Sequence, residues 1–582
     1  MKTVRTYILA GVAALALTSC NDYLTTVPKD AMSPATTWKT GDDAEKFLVG
    51  CYDGWESGAA LLYWDAGSDF AYNNFPWEGF TNIGNGSLSP SSPGWSFYDY
   101  TIIGRCNTFL ENVDKCVFSS DAVKKDLVAQ VKAIRAYNYF RMGFLYGGVP
   151  IVKPFTSAQE ARVPRNTEQE VKDLVFKDLD EAIADINTTP AARGRIAKGA
   201  ALAMKMRAAL YWGDYQKAKD AAQAIIDLGK YELDPDYTNL FKLAGVDSKE
   251  IILAVQYKSG TRPLGTIGQL YNNGDGGWSS VVPTQKCVDN YEMSNGMTIT
   301  EAGSGYDATH PFHGRDPRMA MTILYPGCDW NGTIFNTLDE NVNGKKNPNY
   351  PTNAANSSKT ALTWRKYLDP KSQYADVWDT EACPIVFRYA EVLLTWAEAE
   401  NELNGPSANV FAMIDKVRTR VGMPAVDQTK YNTKDKLREL IRRERGSEFA
   451  GEGLRRADIL RWTSNGKMVA ETVLNGPLNR ITGTINTSAT DPTMRAVVSG
   501  SSKVEDRTFQ TFNRYLPIPQ WNISDNPKLE QNPGYAKLKP HPFPPRRGRG
   551  KKASPPTASP PNPSPKGEGS EMRDTPMIGK AV

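Results

Sequence analysis

Arg388-Tyr389-Ala390-Glu391-Val392-Leu393-Leu394-Thr395-Trp396-Ala397-Glu398-Ala399-Glu400-Asn401-Glu402-Leu403-Asn404, followed at once by Gly405-Pro406, is the stretch that decides the class of this chain. Tyr389, Leu393, Trp396, Ala397 and Leu403 fall on one face at helical spacing, and Gly-Pro stops the helix. Ser407 then serves as N-cap for a second helix with the stripe Val410, Ile414, Val417 and Val421, which Gly422 and Pro424 end. Two antiparallel helices in about 34 residues have the size of a tetratricopeptide unit, and Ala390 and Ala397 permit close approach. Such a unit cannot bury its apolar faces alone, so stacked partners are expected.

The next segment mixes charge with apolar residues. Leu437, Leu440 and Ile441 lead into Arg442-Arg443-Glu444-Arg445-Gly446-Ser447-Glu448-Phe449, and Glu452-Gly453-Leu454-Arg455-Arg456-Ala457-Asp458-Ile459-Leu460-Arg461-Trp462 follows. Unpaired buried charge is costly, so these residues are expected to form paired, partly buried ion networks, with a catalytic role for the carboxylates as the alternative. Together with the Arg418-Thr419-Arg420-Val421-Gly422 helix end, the two blocks FRYAEVLLTWAEAENEL and RRERGSEFAGEGLRRADILRW resemble the C-terminal half of SusD-like (RagB/SusD) outer-membrane nutrient-binding lipoproteins.

Working outward toward the N-terminus, Thr167 and Glu170 form a capping box for the stripe Val171, Leu174, Val175, Leu179, Ala182, Ile183 and Ile186. Asp214 caps a helix with Ala218, Ala222, Ile225 and Ile226 facing inward, after a helix over about 198–212. Further helices are predicted over 105–114 and over about 122–146, and Thr40 with Asp43 opens another that carries Ala44, Phe47, Leu48, Cys51, Tyr52 and Trp55. Glu250 to Tyr257 reads as a short buried strand. The block Ala133 to Phe140 with Leu145-Tyr146-Gly147-Gly148-Val149-Pro150 is similar to the family's N-terminal half, and Tyr515 to Pro519 with Gln531 to Tyr535 is similar to its ending. The fold class is therefore mostly α, with tetratricopeptide-like helical hairpins and a loop-rich insertion containing short strands. The expected division is a signal peptide 1–19, an N-terminal helical region 20–257 with an aromatic-rich loop 56–103, the insertion 258–383, a C-terminal helical region 384–535, and a Pro-rich basic tail 536–582 that is disordered and extraneous to the family pattern.

The net charge of +4 conceals a division: residues 536–582 carry +7 and residues 1–19 carry +2, so residues 20–535 carry −5. An acidic body argues against nucleic acid as a partner. Lys2 and Arg5, the apolar run Tyr7 to Leu17, and Leu17-Thr18-Ser19-Cys20 resemble a lipoprotein leader, which makes Cys20 the expected lipidation site. Export permits disulfides; Cys106 with Cys116, or Cys287 with Cys328, are candidate pairs, and buried free thiols are the alternative.

Among the three histidines, His310 and His313 flank Pro311-Phe312, and the proline argues against the helix that would aim two imidazoles at one metal. No metal or cofactor is expected. The H-E-x-x-H, G-x-S-x-G and P-loop patterns are missing, although two carboxylates would suffice for a glycosidase. The remaining chemistry is aromatic. Sugars present apolar C–H faces ringed by hydroxyls, which calls for flat rings beside amides and acids. Trp77, Phe80, Asn82, Trp95 and Tyr98 in the first loop, with Asn273, Asp275, Trp278, Tyr306 and Trp330 in the insertion, meet that description, with core packing as the alternative for each ring. The resemblance implies a non-enzymatic, lipid-anchored surface protein of the outer membrane that binds glycans or another nutrient for a SusC-like TonB-dependent transporter. A tetratricopeptide-like protein-binding scaffold and a surface glycoside hydrolase are the rival functions.

Overall fold

The long helices begin where short polar side chains satisfy their first amides. The computed structural model describes residues 38–154, 157 and 159–536. Its principal helices are α1 (Gly41–Tyr52), α2 (Thr101–Asn112), α3 (Asp121–Tyr146), α4 (Glu168–Asp185), α5 (Lys198–Tyr211), α6 (Tyr215–Asp227), α7 (Tyr389–Asn404), α8 (Ala408–Arg420), α9 (Lys434–Phe449) and α10 (Arg455–Arg461). The Thr40 hydroxyl accepts from the Asp43 amide at 3.3 Å while the Asp43 carboxylate accepts from the Thr40 amide at 3.0 Å. Thr167 and Glu170 repeat this reciprocal box at α4. Asp214 and Ser407 cap α6 and α8 through the amides of Lys217 and Val410. Each cap satisfies donors that a helix start leaves open.

α3 packs on α4, α5 on α6, and α7 on α8 as successive hairpins, and α6 lies against α7. The superhelix is thus continuous across the insertion. Trp396 Nε1 donates to Gln223 Oε1 at 3.0 Å, and Lys219 pairs with Glu400 at 3.0 Å. Because α6, α8 and α9 all touch α7, its residues 390–399 are buried on every side, whereas Leu403 is 39 % exposed. The single apolar stripe expected from spacing therefore understates the burial of this helix and wrongly includes Leu403. Arg388 also differs from expectation. It ends a strand, Ile385–Arg388, which pairs antiparallel with Ile251–Ala254, and its extended backbone forms the N-cap of α7.

Helix outweighs strand, 43 % against 12 %, and the strands form short two-stranded sheets, several of them in the insertion. One pairing crosses regions: Ala71–Asn73 in the aromatic-rich loop pairs antiparallel with Val281–Pro283 in the insertion. A long hairpin, Gly476–Ile485 with Ala496–Arg507, is not anticipated by the Thr-, Ser- and Gly-rich sequence, whose alternation is weak. Cys51, Cys106, Cys116, Cys287, Cys328 and Cys383 are free thiols, and all but Cys383 are buried, so neither candidate disulfide is formed. Among the described residues, no helix is long and apolar enough to cross a membrane. The expected signal peptide 1–19, Cys20 and residues 537–582 lie outside the described residues.

Candidate functional site

The Arg- and Glu-rich segment condenses into a buried lattice. Arg388 reaches Glu250, Glu448 and Glu452, each at 2.7 Å, and Lys366 joins Glu452 at 2.8 Å. Arg420 bridges Glu250 and Glu448. Arg318 binds Asp316 at 2.6 Å, Glu444 at 2.6 Å and Glu448 at 3.0 Å; Arg418 joins Glu444 at 2.8 Å and Glu292 at 2.9 Å, and Arg443 also meets Glu292. Cations and anions balance. A second cluster joins Arg445 and Arg461 to Glu398 and Asp458, with Trp462 Nε1 donating to Glu398 at 2.7 Å. Burial raises Glu250 despite Arg388 and Arg420, but elsewhere the neighbouring cations outweigh it: Glu444, Glu448 and Glu452 are held below the usual carboxylate range and Glu398 is brought down to about 2. A general acid or base must reach a ligand with a proton to exchange. These carboxylates are enclosed and saturated, so their role is to hold the fold.

The lattice also anchors the aromatic-rich loop. Asp65 accepts from the Gly451 amide at 2.8 Å, Arg455 pairs with Asp69 at 2.9 Å, and Arg507 donates to Ser68 O at 2.6 Å. Burial pushes Asp65 up to about 6, against the backbone N–H groups of Gly451, Gly453 and Arg455 that favour its anion. On this support the chain turns at Gly79, whose φ is +88°. A Cβ there would lie 2.9 Å from the Trp95 amide, which donates to Gly79 O at 2.7 Å, so glycine permits both the turn and the contact.

That contact places the Trp77 and Trp95 turns side by side. Trp77 is 79 % exposed and stacks on Phe75, with centroids 4.8 Å apart and 28° between planes; Trp95 is 38 % exposed and stacks on Phe80 at 5.3 Å and 21°. The strand pairing brings in the insertion. Asn73 is opposite Val281 and the Asn74 amide donates to Ser280 O at 2.8 Å, which ties the chain just after Trp278 to the chain just before the Phe75 to Trp77 turn. Trp278 is 39 % exposed and lies against Trp378, centroids 4.8 Å apart. Beneath this rim, Asn73 Nδ2 joins Glu78 Oε2 at 2.5 Å and Ser280 O at 2.9 Å, and the Tyr63 hydroxyl donates to Gln269 Oε1 at 2.7 Å. Burial raises the Glu78 carboxyl, while its bonds from Ser280, Asn73 and Tyr63 act the other way.

The other expected contacts have different places. Phe80, Tyr98 and Trp330 are buried and offer no open face. Phe80 lies under Trp95 among Tyr63 and Trp64, Tyr98 meets Tyr100 and Tyr146 edge-on, and Trp330 donates Nε1 to Asp275 Oδ2 at 2.7 Å. Loops without long helices need rings for their own core, and these supply it. Asp275 also accepts from Asn331 at 3.1 Å, Asn273 donates to Pro348 O at 2.8 Å, and Asn82 donates to Ser92 Oγ at 2.7 Å. Those polar groups are engaged in shaping loops. Tyr306 is half-buried under Arg315, 5.5 Å from ring centroid to guanidinium, in a separate turn of the insertion. Trp521, 47 % exposed, is absent from the expected set; its neighbour Gln520 donates its amide to Pro90 O at 2.8 Å, which ties that helix to the Ser89 to Ser92 turn. His310 pairs with Asp307 and His313 with Asp491, and no group of three or more metal ligands occurs among the described residues.

Residues 249–535 match the model of the SusD family, and residues 90–210 match a second model described as "Starch-binding associating with outer membrane". Together the two matches span more than half of the chain. A SusD-like protein of Formosa agariphila is 27 % identical over 76 % of this chain and 87 % of its own length, and another from that organism is 24 % identical over 89 % and 96 %. Among solved structures, a SusD-like carbohydrate binding protein of Bacteroides fragilis superposes with a TM-score of 0.74 at 27 % identity, covering 85 % of this chain and all of its own. The hairpin superhelix, its loop-rich insertion and the matched sequence agree on one assignment: the chain belongs to the SusD (RagB/SusD) family of non-catalytic binding proteins.

Proposed function

We propose that this protein binds glycans at the outer-membrane surface, through the rim formed by Trp77, Trp95 and Trp278, and delivers them to a SusC-like TonB-dependent transporter. The observation that carries this function is the exposure of three indoles, each backed by a second ring, on two regions of sequence that backbone pairing ties together. Flat rings suit the C–H faces of sugars, and a backed ring loses little freedom on binding. The starch-binding description of one family model and the similarity to a carbohydrate binding protein of Bacteroides fragilis support the ligand class. Lipidation at Cys20 supplies the anchor: each buried CH₂ of an acyl chain contributes about 0.8 kcal/mol, and several chains make a stable tether.

A glycan panel followed by calorimetry tests the ligand class and the rim together. Trp77→Ala, Trp95→Ala and Trp278→Ala are each expected to weaken the best ligand by about 1 to 3 kcal/mol, the cost seen for bases stacked on aromatic side chains. Normal binding by all three variants rules out the rim, and release of shortened sugars by the wild type rules out a binding-only role. Cys20→Ser is expected to leave the protein unprocessed or free of the membrane. Co-purification of a SusC-like transporter from the native membrane tests delivery.

A further inference from the structure

A second depression, of about 570 Å³, lies between α9, α10 and the turn that follows them. It shares no lining residue with the tryptophan rim. Arg442, Arg443, Arg455 and Lys467 line it over the buried face of Trp462, with the Arg442 and Arg455 guanidiniums 5.3 Å and 5.8 Å from that ring. Lys286 reaches its wall and donates to Val473 O at 2.6 Å.

The charges here do not balance as they do in the lattice. Arg443 and Arg455 are matched by Glu292 and Asp69. Arg442 has only Glu439, a largely exposed partner at 3.2 Å, together with Thr463 O, and its Nε is buried with no acceptor. Lys286 and Lys467 have no carboxylate partner among the described residues. Glu471, on the adjoining helix, directs its carboxylate to the Met468 amide and Thr511. Burial lowers both Arg442 and Lys286 from their ordinary values, and the neighbouring guanidiniums of Arg507 and Arg455 lower Lys286 further, against the pull of Asp69. Excess positive charge in a concave, partly desolvated setting attracts an anion strongly. Asn290, Ser464, Asn465 and Thr472 add the amide and hydroxyl groups that hydrogen-bond sugar hydroxyls, and Glu439, Val469 and Val473 complete the lining.

We propose that this depression is a second glycan site that takes an acidic sugar, one bearing a sulfate ester or a carboxylate. The inference rests on the glycan-binding function above. Its volume fits a sugar unit, and its lining, in which four cations and four neutral polar groups outnumber the single carboxylate of Glu439, favours a charged carbohydrate over a lipid headgroup.

The test uses the full chain, so that the basic tail contributes equally to every variant. Sulfated and uronate oligosaccharides, a neutral oligosaccharide of the same length and phosphatidylglycerol vesicles are titrated into wild type, Lys467→Glu, Arg442→Gln and Trp77→Ala, with a melting curve for each. At least one acidic oligosaccharide is expected to bind saturably, with an affinity that falls as salt rises. Lys467→Glu, at a site with no ion pair to lose, is expected to weaken it about ten-fold or more without a shift in melting, and Trp77→Ala is expected to leave it unchanged. Equal binding by wild type and both charge variants, binding of vesicles alone, or neutral glycans binding while acidic ones do not overturns the second site. Binding of no glycan of any kind removes the proposed function itself.

Discussion

The core between α7 and α10 and the rim at Trp77, Trp95 and Trp278 invert the usual partition of side chains. In the core, Arg318, Arg388, Glu444 and Glu448 are almost wholly enclosed; on the rim, three of the largest apolar side chains face solvent. Burying paired ions returns little net stability, because desolvation offsets much of the attraction, whereas breaking one pair leaves a charge stranded. Such a lattice is therefore intolerant of single changes. Exposed indoles, by contrast, add little to folding and are free to serve recognition. The two regions are nevertheless coupled, since Asp65, Asp69 and Ser68 fasten the aromatic-rich loop to Gly451, Arg455 and Arg507.

The sharpest break is Arg388→Met. It removes a shared cation from Glu250, Glu448 and Glu452, leaving the buried lattice one positive charge short, and is expected to cost about 3 to 5 kcal/mol of stability or prevent folding, read by chemical denaturation. A change below about 1 kcal/mol would mean that these carboxylates find other partners and that the lattice is not a unit. Phe80→Ala and Trp77→Ala form the next comparison. The buried ring is expected to cost roughly 3 to 5 kcal/mol of stability, while its exposed neighbour leaves the melting temperature nearly unchanged and lowers affinity instead. Similar melting shifts for both variants would erase the distinction between support and contact.

Acid titration probes the lattice without mutation. The depressed carboxyls contribute stability that is fully present above the unfolded carboxyl value near 4.5 and is lost as pH falls through their folded values. For Glu398, whose folded value is about 2, the loss over that window is about 3 kcal/mol. Unfolding free energy measured from pH 6 to pH 2 should therefore fall steeply below pH 4.5, and a flat profile there contradicts the guanidinium pairing. The smallest effect is expected at the rim's turn. Gly79→Ala forces a side chain into positive φ against the Trp95 amide, a strain of about 1 to 3 kcal/mol, partly relieved by local movement; weaker ligand binding with a small change in melting is the expected signature.

Helices were the most legible part, because Thr40, Thr167, Asp214 and Ser407 each announce a start through a local bond that needs no tertiary partner. The ion lattice was legible as a class, since so many Arg and Glu beside Leu, Ile and Phe require pairing. Its partners were not: Glu250, Glu292 and Lys366 lie far away in sequence, and although Glu250 opens a predicted buried strand, no local pattern links any of the three to the Arg-rich segment. The proposed ligand rim was legible only as a density of rings. Trp77, Phe80, Trp95 and Tyr98 occur within 22 residues of one another, yet two are exposed and two are buried. Trp521 escaped notice because it sits alone.

Local sequence thus determined where helices begin and end, that their faces must stack, and that the charged segment must pair internally, because each depends on contacts within a few residues or on the cost of an unpaired charge. Which rings face outward was decided by the tertiary structure. Exposure depends on what covers a ring, and here that depends on the pairing of Ala71–Asn73 with Val281–Pro283 and on the approach of Gly79 to Trp95, contacts between segments that no local pattern links.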